Sequence, residues 1–249
     1  MAERFAADGH VVYGTFRHAT EQIPGVRYIK ADSTVQEEVE AAVRKVVDEQ
    51  GRIDVFVNNA GSGIAGPLEF CSLEECQRQM DINFMGMVRY VREVVPVMRS
   101  QGWGHIFCIS SIGGLVGLPF QGMYSASKFA MEGYCEALRL EVRSFGITVT
   151  TIEPGDFATS FTAKRQSVRS SEASKVYTSY SKALEGIEHD ENGGLRPEYL
   201  ARKVSRIITR KRPRCHYIIS TFVQKLSVVT KTVLPPSWFA RVMSAYYHV

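Results

Sequence analysis

The sequence predicts an α/β fold, a doubly wound parallel sheet within a single domain. Three features carry that prediction. Near-continuous apolar runs with little alternation, such as "IDVFVNNAG" and "ITVTTIEPG", read as strands buried on both faces. Amphipathic stretches with helical spacing separate them. The strands end in small or polar residues, "GTFR", "NNAGSG", "SSIGG" and "EPGD", where open α/β sheets collect their ligands. With 249 residues and 45% apolar composition, the chain is long enough for one full core.

The elements follow in order. "HVVYGTF" reads as a first buried strand. In "TVQEEVEAAVRKVVDEQG", Val35, Val39, Val43, Val46 and Val47 recur at helical spacing, and Gly51 is the stop signal. "IDVFVNNAG" is a strand ending in a turn. Ser72 and Glu75 form a capping box, with a helical stretch running from roughly 78 to 100. "GHIFCISS" is a strand. "MYSASKFAMEGYCEALRLEVRSFG" is a long helix closed by Gly146, and "ITVTTIEPG" a strand stopped at Pro154-Gly155. Residues 156–195 are polar and short of apolar periodicity. "RPEYLARKVSRIITRK" is helical, with Leu200, Val204, Ile207 and Ile208 on one face, and "CHYIIS" is a last strand.

Composition narrows the function classes. No run approaches the eighteen or so uncharged apolar residues of a membrane span, and "MAERFAADGH" lacks a signal-peptide core. The five cysteines, Cys71, Cys76, Cys108, Cys135 and Cys215, show no metal-ligand spacing. Reduced thiols in a cytoplasmic compartment and no bound metal are the expectation. The net charge of +4 is uneven: residues 195–249 hold eleven Lys/Arg and one acid, Glu198, while the remaining 194 residues carry 19 bases and 25 acids. The tail "FVQKLSVVTKTVLPPSWFARVMSAYYHV" alternates basic and apolar residues. One reading is peripheral membrane contact; the other is a solvated basic helix followed by a core-packing tail. No nucleic-acid partner is expected.

"NNAGSGIAG" contains Gly61, Gly63 and Gly66 in Gly-x-Gly-x-x-Gly spacing, with Asp81 twenty positions after the first. Those letters alone match a dinucleotide fingerprint, which requires a strand–turn–helix. Here Pro67 follows Gly66 directly, the helix cap waits until Ser72, and Asp81 sits in a helical pattern. The triplet therefore reads as a decoy. In the alternative, Asn58 and Asn59 lock the strand end by hydrogen bonds, while Ala60 and Gly61 admit a flat ring and its ribose to the backbone.

"YSASK" carries chemistry. Tyr124 and Lys128 are four apart on a helix and share a face. A phenol near pKa 10 is a poor acid–base at neutral pH, and a neighbouring ammonium brings it toward the working range. Ser111, thirteen residues upstream at a strand end, is placed to hold a carbonyl or alcohol oxygen. Asn83 is a candidate holder of a proton-relay water.

With "NNAG", Asn83 in "DINFMG", "ISSIGG", "YSASK" and "EPG" in this order and spacing, the chain resembles the short-chain dehydrogenase/reductase family, and within it the hydroxysteroid and retinol dehydrogenase-like branch. The resemblance implies a Rossmann-like sheet and an NAD(P)-dependent oxidoreductase that interconverts an alcohol and a carbonyl. It implies Tyr124 as general acid–base. Lys128 lowers its pKa and holds the nicotinamide ribose, Ser111 positions the substrate oxygen, and Asn83 supports the relay water. Asp32 meets the adenine amino group, and Asn59, Ala60 and Gly61 line the adenosine ribose. Pro154 and Gly155 flank the nicotinamide, and Thr159 reaches its amide or the phosphates. Where NAD-preferring members carry an acid stands Phe16, followed by Arg17, whose guanidinium suits a 2′-phosphate, with His18 assisting. NADP is thus the expected cofactor, with NAD as the other candidate. A homo-oligomer is implied as well.

The resemblance places a substrate lid at about 156–195 and a basic, apolar segment at 196–249, both inside a single domain spanning 1–249. Phe222, Trp238, Phe239, Met243, Tyr246 and Tyr247 near that lid suit a bulky apolar substrate: a steroid, retinoid or acyl chain. The family opens with a strand and a Gly-x-x-x-Gly-x-Gly loop, and this chain has no such spacing. "MAERFAADGH" resembles the end of the helix after that loop. The expectation is a sheet lacking its first strand, with two neighbours left unpaired and dinucleotide binding weakened. Two readings stay open: an active oxidoreductase whose given start is too late, or a non-catalytic truncated remnant acting as a binding protein.

Overall fold

The computed structural model describes residues 1–17, 22–168 and 171–249. A short helix, α1 (Ala2–Ala7), leads into two paired parallel strands, β1 (Val12–Phe16) and β2 (Val26–Lys30). Helix α2 (Gln36–Gln50) ends at Gly51, whose φ of 71° is the left-handed conformation that closes a helix cheaply. Then come β3 (Val55–Asn58), the two-residue β4 (Ile64–Ala65) and α3 (Leu73–Met80), opened by the Ser72–Glu75 capping box. A π-helical turn (Asp81–Met85) joins α3 to α4 (Gly86–Gln101). Beyond it lie β5 (Gly104–Ile109), α5 (Gly122–Glu141) and β6 (Ile147–Pro154). Residues 156–195 fold into α6 (Ser160–Lys164), β7 (Gln166–Ser167), α7 (Ser171–Val176) and α8 (Tyr180–Asn192). The chain finishes with α9 (Pro197–Ile208), β8 (His216–Ile219), α10 (Phe222–Val233) and α11 (Pro236–Tyr247).

The strand pairings are all parallel, in the order β3-β5-β6-β8 for the four-stranded sheet. Alternate residues of β5 feed opposite cores. Ile106 and Cys108 join Val39, Met87, Val94 and Met131 from α2, α4 and α5 on one face. Phe107 and Ile109 join Phe5, Val204 and Ile207 from α1 and α9 on the other. Burial on both faces explains why these strands are apolar throughout rather than alternating.

The sheet has a break. Strand β1 pairs with β2 and β3 with β5, but β1 and β3 do not pair with each other. Between their facing edges lies a cavity of about 880 Å³ lined by Val12, Thr15, Val55 and Val57 among others. Asn58 is among the lining residues, and its Nδ2 is buried with no hydrogen-bond partner among the described residues. The Asn58 Nδ2 therefore supplies none of the hydrogen bonds expected to lock the strand end. The slot matches the expectation of two strand neighbours left without a partner.

Two other expectations need correction. Residues 156–195, read as polar and short of apolar periodicity, do carry a buried face: α8 buries Tyr180, Ala183 and Ile187. The C-terminal tail is not packed into the core. It forms two helices, α10 and α11, neither of which has a buried residue.

Candidate active site

Tyr124 and Lys128 lie on the buried face of α5, where Ser125 and Ser127 keep the helix surface small enough to press against the sheet. The turn after β5 reaches the same place. Ser111 caps a short 3₁₀ turn (Ile112–Gly114), its Oγ accepting from Gly113 N–H at 3.0 Å. The two glycines of "ISSIGG" are needed there. A Cβ at Gly114 would stand 2.7 Å from Ser110 Oγ and 3.1 Å from Lys128 Cβ; one at Gly113 would stand 3.1 Å from Tyr124 Cε1. Glycine thus lets the Ser111 turn close on α5 and brings the Ser111 hydroxyl to the Tyr124 phenol.

Asn83 approaches from a third side. It is fully buried in the π-helical turn, a distortion that recurs at functional sites. Its Oδ1 accepts from Ser62 N–H at 2.8 Å, and its Nδ2 donates to Ser62 O and to Ser127 Oγ, both at 3.0 Å. Ser127 Oγ donates in turn to Tyr124 O at 2.7 Å. The Asn83 side chain thereby ties the end of β3 to the Tyr124 turn of α5. Ser127 in this link, and the paired glycines, were not singled out in the sequence. Small residues repeated at one helix face were the available signal.

The protonation states depart from expectation. Burial pushes the Tyr124 phenol up to about 12, with Ser111 drawing it partly back. Burial lowers the Lys128 ammonium to about 8. Lys128 Nζ lies 5.9 Å from the Tyr124 ring centroid and donates to Ile109 O at 2.8 Å. The ammonium is therefore directed at a strand carbonyl, and desolvation, not the lysine, governs the tyrosine.

A lysine whose pKa drops from 10.5 to about 8 on folding penalises the fold below pH 8, and the penalty fades as pH rises toward 10.5. Lys128→Met should therefore stabilise the protein by about 2 kcal/mol at pH 7 while abolishing activity, with the gain shrinking at pH 10. Urea unfolding at the two pH values checks this; a variant less stable at pH 7 contradicts it.

The remaining site residues divide. Asn59 and Ala60 line the β1–β3 slot, and a Cβ at Gly61 would lie 3.8 Å from Lys128 Nζ, so this turn leads from the slot to the lysine. Arg17 and Asp32, at the ends of β1 and β2, face each other with Nε and Oδ2 3.9 Å apart. His18 lies outside the described residues. Pro154 closes β6. Gly155 has another duty: a Cβ there would stand 2.0 Å from Gln224 Oε1 and 2.6 Å from Ser220 Cβ, so the glycine admits α10. Thr159 is exposed and caps α6, accepting from Phe161 N–H at 3.2 Å. Phe222 and Trp238 face solvent, 80% and 62% exposed, and so do not line the site.

The glycine triplet has a packing explanation. A Cβ at Gly63 would strike the Phe161 ring at 2.8 Å, and one at Gly66 would strike Val168 Cβ at 2.6 Å. These glycines let residues 161–168 dock on β4, and β7 pairs there. Phe161 meets Tyr124 at a tilt, with centroids 5.6 Å apart. The segment 156–195 thus roofs the tyrosine.

A nicotinamide ring and its ribose fit the Ser111–Tyr124–Lys128 cluster, which offers a hydroxyl, a phenol and an ammonium at one strand end. A pyrophosphate is less well served. Among the described residues no glycine-rich turn opens a helix at the slot.

The family model described as short chain dehydrogenase matches residues 2–170. The 3-ketodihydrosphingosine reductase of Bacteroides thetaiotaomicron is 41% identical over 249 residues, covering 100% of this chain and 93% of that one. Retinol dehydrogenase 8 of Homo sapiens is 48% identical over 115 residues, 46% of this chain and 37% of the relative. The crystal structure of a short-chain dehydrogenase from Streptomyces avermitilis superposes with a TM-score of 0.79 at 24% identity, covering 99% of this chain and 91% of that one.

Proposed function

We propose that this chain, which belongs to the short-chain dehydrogenase/reductase family and is an oxidoreductase of alcohols and carbonyls using NAD(P), reduces a bulky apolar ketone with NADPH. The observation that carries the reading is the meeting of Ser111, Tyr124 and Lys128 beneath the 156–195 segment, which acts as the substrate lid. Ser111 Oγ and the Tyr124 phenol hold the carbonyl oxygen. The reduced nicotinamide, when bound, supplies a hydride to the carbonyl carbon. Tyr124 gives its proton to the oxygen, completing the alcohol. The Tyr124 phenol carries at neutral pH the proton it gives, and burial raises its pKa. Lys128 holds the ribose hydroxyls and carries positive charge beside the phenolate left behind. Asn83 fixes the turn that positions Tyr124.

The substrate class follows from the lid's aromatic lining and from likeness. Phe161 meets Tyr124 at a tilt, and Phe120 meets Tyr177 edge-on and Tyr180 at a tilt, at 6.1 and 5.0 Å. The full-length resemblance to a protein named 3-ketodihydrosphingosine reductase favours a long-chain 3-ketone over a steroid or retinoid. Self-association belongs to the same reading. Following NADPH oxidation with long-chain 3-ketones, a steroid ketone and short sugars tests it. Turnover confined to the sugars overturns it.

Cofactor choice rests on Arg17. Its guanidinium lies against Asp32, and a ribose 2′-phosphate offers it a stronger, doubly charged partner. Arg17→Ala should cut the preference for NADPH over NADH by roughly tenfold or more, the size of one charged hydrogen bond. An unchanged ratio of the two dissociation constants removes Arg17 from the 2′ site.

A further inference from the structure

Helices α10 and α11 are inside out for a surface hairpin. On α10, Phe222, Leu226, Val229 and Val233 recur at helical spacing and all are exposed, Phe222 at 80% and Val233 at 74%. On α11, Trp238 and Val242, one turn apart, continue the exposed apolar surface. A helix on a soluble protein ordinarily turns such a stripe inward. Here the polar groups point in. Gln224 Nε2 donates to Asp156 Oδ2 at 2.5 Å, Tyr246 O–H donates to Asp190 Oδ2 at 2.9 Å, and Lys231 Nζ donates to Leu115 O. These bonds hold the hairpin onto the lid base and the turn after Ser111, so its orientation is fixed by specific contacts.

Charge identifies the occupant. With Lys231 turned inward, residues 222–249 offer Lys225 and Arg241 and contain no acid, and the preceding residues from 195 add eight more Lys/Arg against Glu198 alone. Apolar rows on a basic, acid-free segment, with a tryptophan among them, match the boundary of an anionic lipid bilayer. A second copy on the same face would set Lys225 and Arg241 against their own kind. No helix among the described residues is long and apolar enough to cross a membrane, which fits contact from one side.

We propose that α10 and α11 dock flat on an anionic bilayer, seating Phe222, Leu226, Val229, Val233, Trp238 and Val242 at the acyl boundary. Docked this way, the hairpin places the base of the 156–195 segment beside the lipid, a short route for an apolar substrate. That use, though not the docking, rests on the function proposed above.

The test is sedimentation with sucrose-loaded vesicles of phosphatidylcholine alone or with about a third phosphatidylserine, run beside light scattering of the free protein. The expected result is co-sedimentation with the anionic vesicles, weakened by salt and at least tenfold weaker on neutral ones. Phe222→Ser combined with Leu226→Ser and Trp238→Ser should lower partitioning more than tenfold with an unchanged melting temperature. Turnover of a short, water-soluble ketone should stay unchanged in that variant, so loss of docking is told apart from failure of the reaction assignment. Three outcomes overturn the proposal: no sedimentation with either vesicle, equal sedimentation of the variant, or a dimer in solution that the same substitutions dissociate.

Discussion

Tyr124→Phe should lower kcat by about a thousandfold or more, within the range supplied by a positioned general acid, while leaving the fold intact. The substitution deletes a single oxygen. The ring keeps its place against Phe161 and Gly113, and Ser111 Oγ keeps its bond from Gly113 N–H. Loss of one hydrogen-bonded hydroxyl changes stability by about 1 kcal/mol, or a few degrees in melting temperature. Cofactor affinity should also persist, because Lys128 and the Asn59–Gly61 turn are untouched. Single-turnover NADPH oxidation alongside thermal melts separates these effects. Turnover near that of the parent chain would mean that the carbonyl takes its proton elsewhere, with Ser111 the next hydroxyl in reach.

Much of this site was legible in the sequence because local rules fix it. Tyr124 and Lys128 share a helix face by spacing alone, the Ser72–Glu75 cap forms as its residues dictate, and Gly51 stops α2 with a positive φ. The context of the glycine triplet was also readable. The α-helix cap waits until Ser72, and the structure puts Gly63 and Gly66 against Phe161 and Val168. What escaped depended on partners distant in sequence. Strand β2 is short, and only its register against β1 makes "VRYIK" a strand. Helix α8 carries few apolar residues, and those few find a buried place only once Tyr180 reaches Ala65 O across 115 positions. The tail misled for the opposite reason. Its apolar rows are regular, and periodicity does not say whether a row packs on the body or stays exposed. The Tyr124 pKa escaped too, since helix spacing shows a neighbouring ammonium but not the desolvation that outweighs it.

Preceding Met1 with a designed strand that ends in Gly-x-x-x-Gly-x-Gly should tighten NADPH binding by at least about a hundredfold and raise the urea midpoint. The slot sets the design. Strand β1 is five residues long and β3 is four, each pairs in parallel with its one partner, and both line the cavity of about 880 Å³. Five or so apolar residues would pair with both edges and fill the space between Val12 and Val55. The glycines would follow at the strand end, beside Asn59 and Ala60. There they would present N–H groups, and a helix start leading into α1, to the diphosphate. Two charge-assisted hydrogen bonds at about 1.5–3 kcal/mol each are worth a hundredfold or more. A control strand with the glycines replaced by alanine separates the effects: it should fill the slot and stabilise the sheet, yet gain little affinity, because a Cβ keeps the phosphates from the backbone. Isothermal titration of NADPH into the parent chain, the extended chain and the alanine control decides the matter. Equal affinity in all three would place the phosphates elsewhere, with Arg17 and the Gly61–Gly66 turn the first places to look.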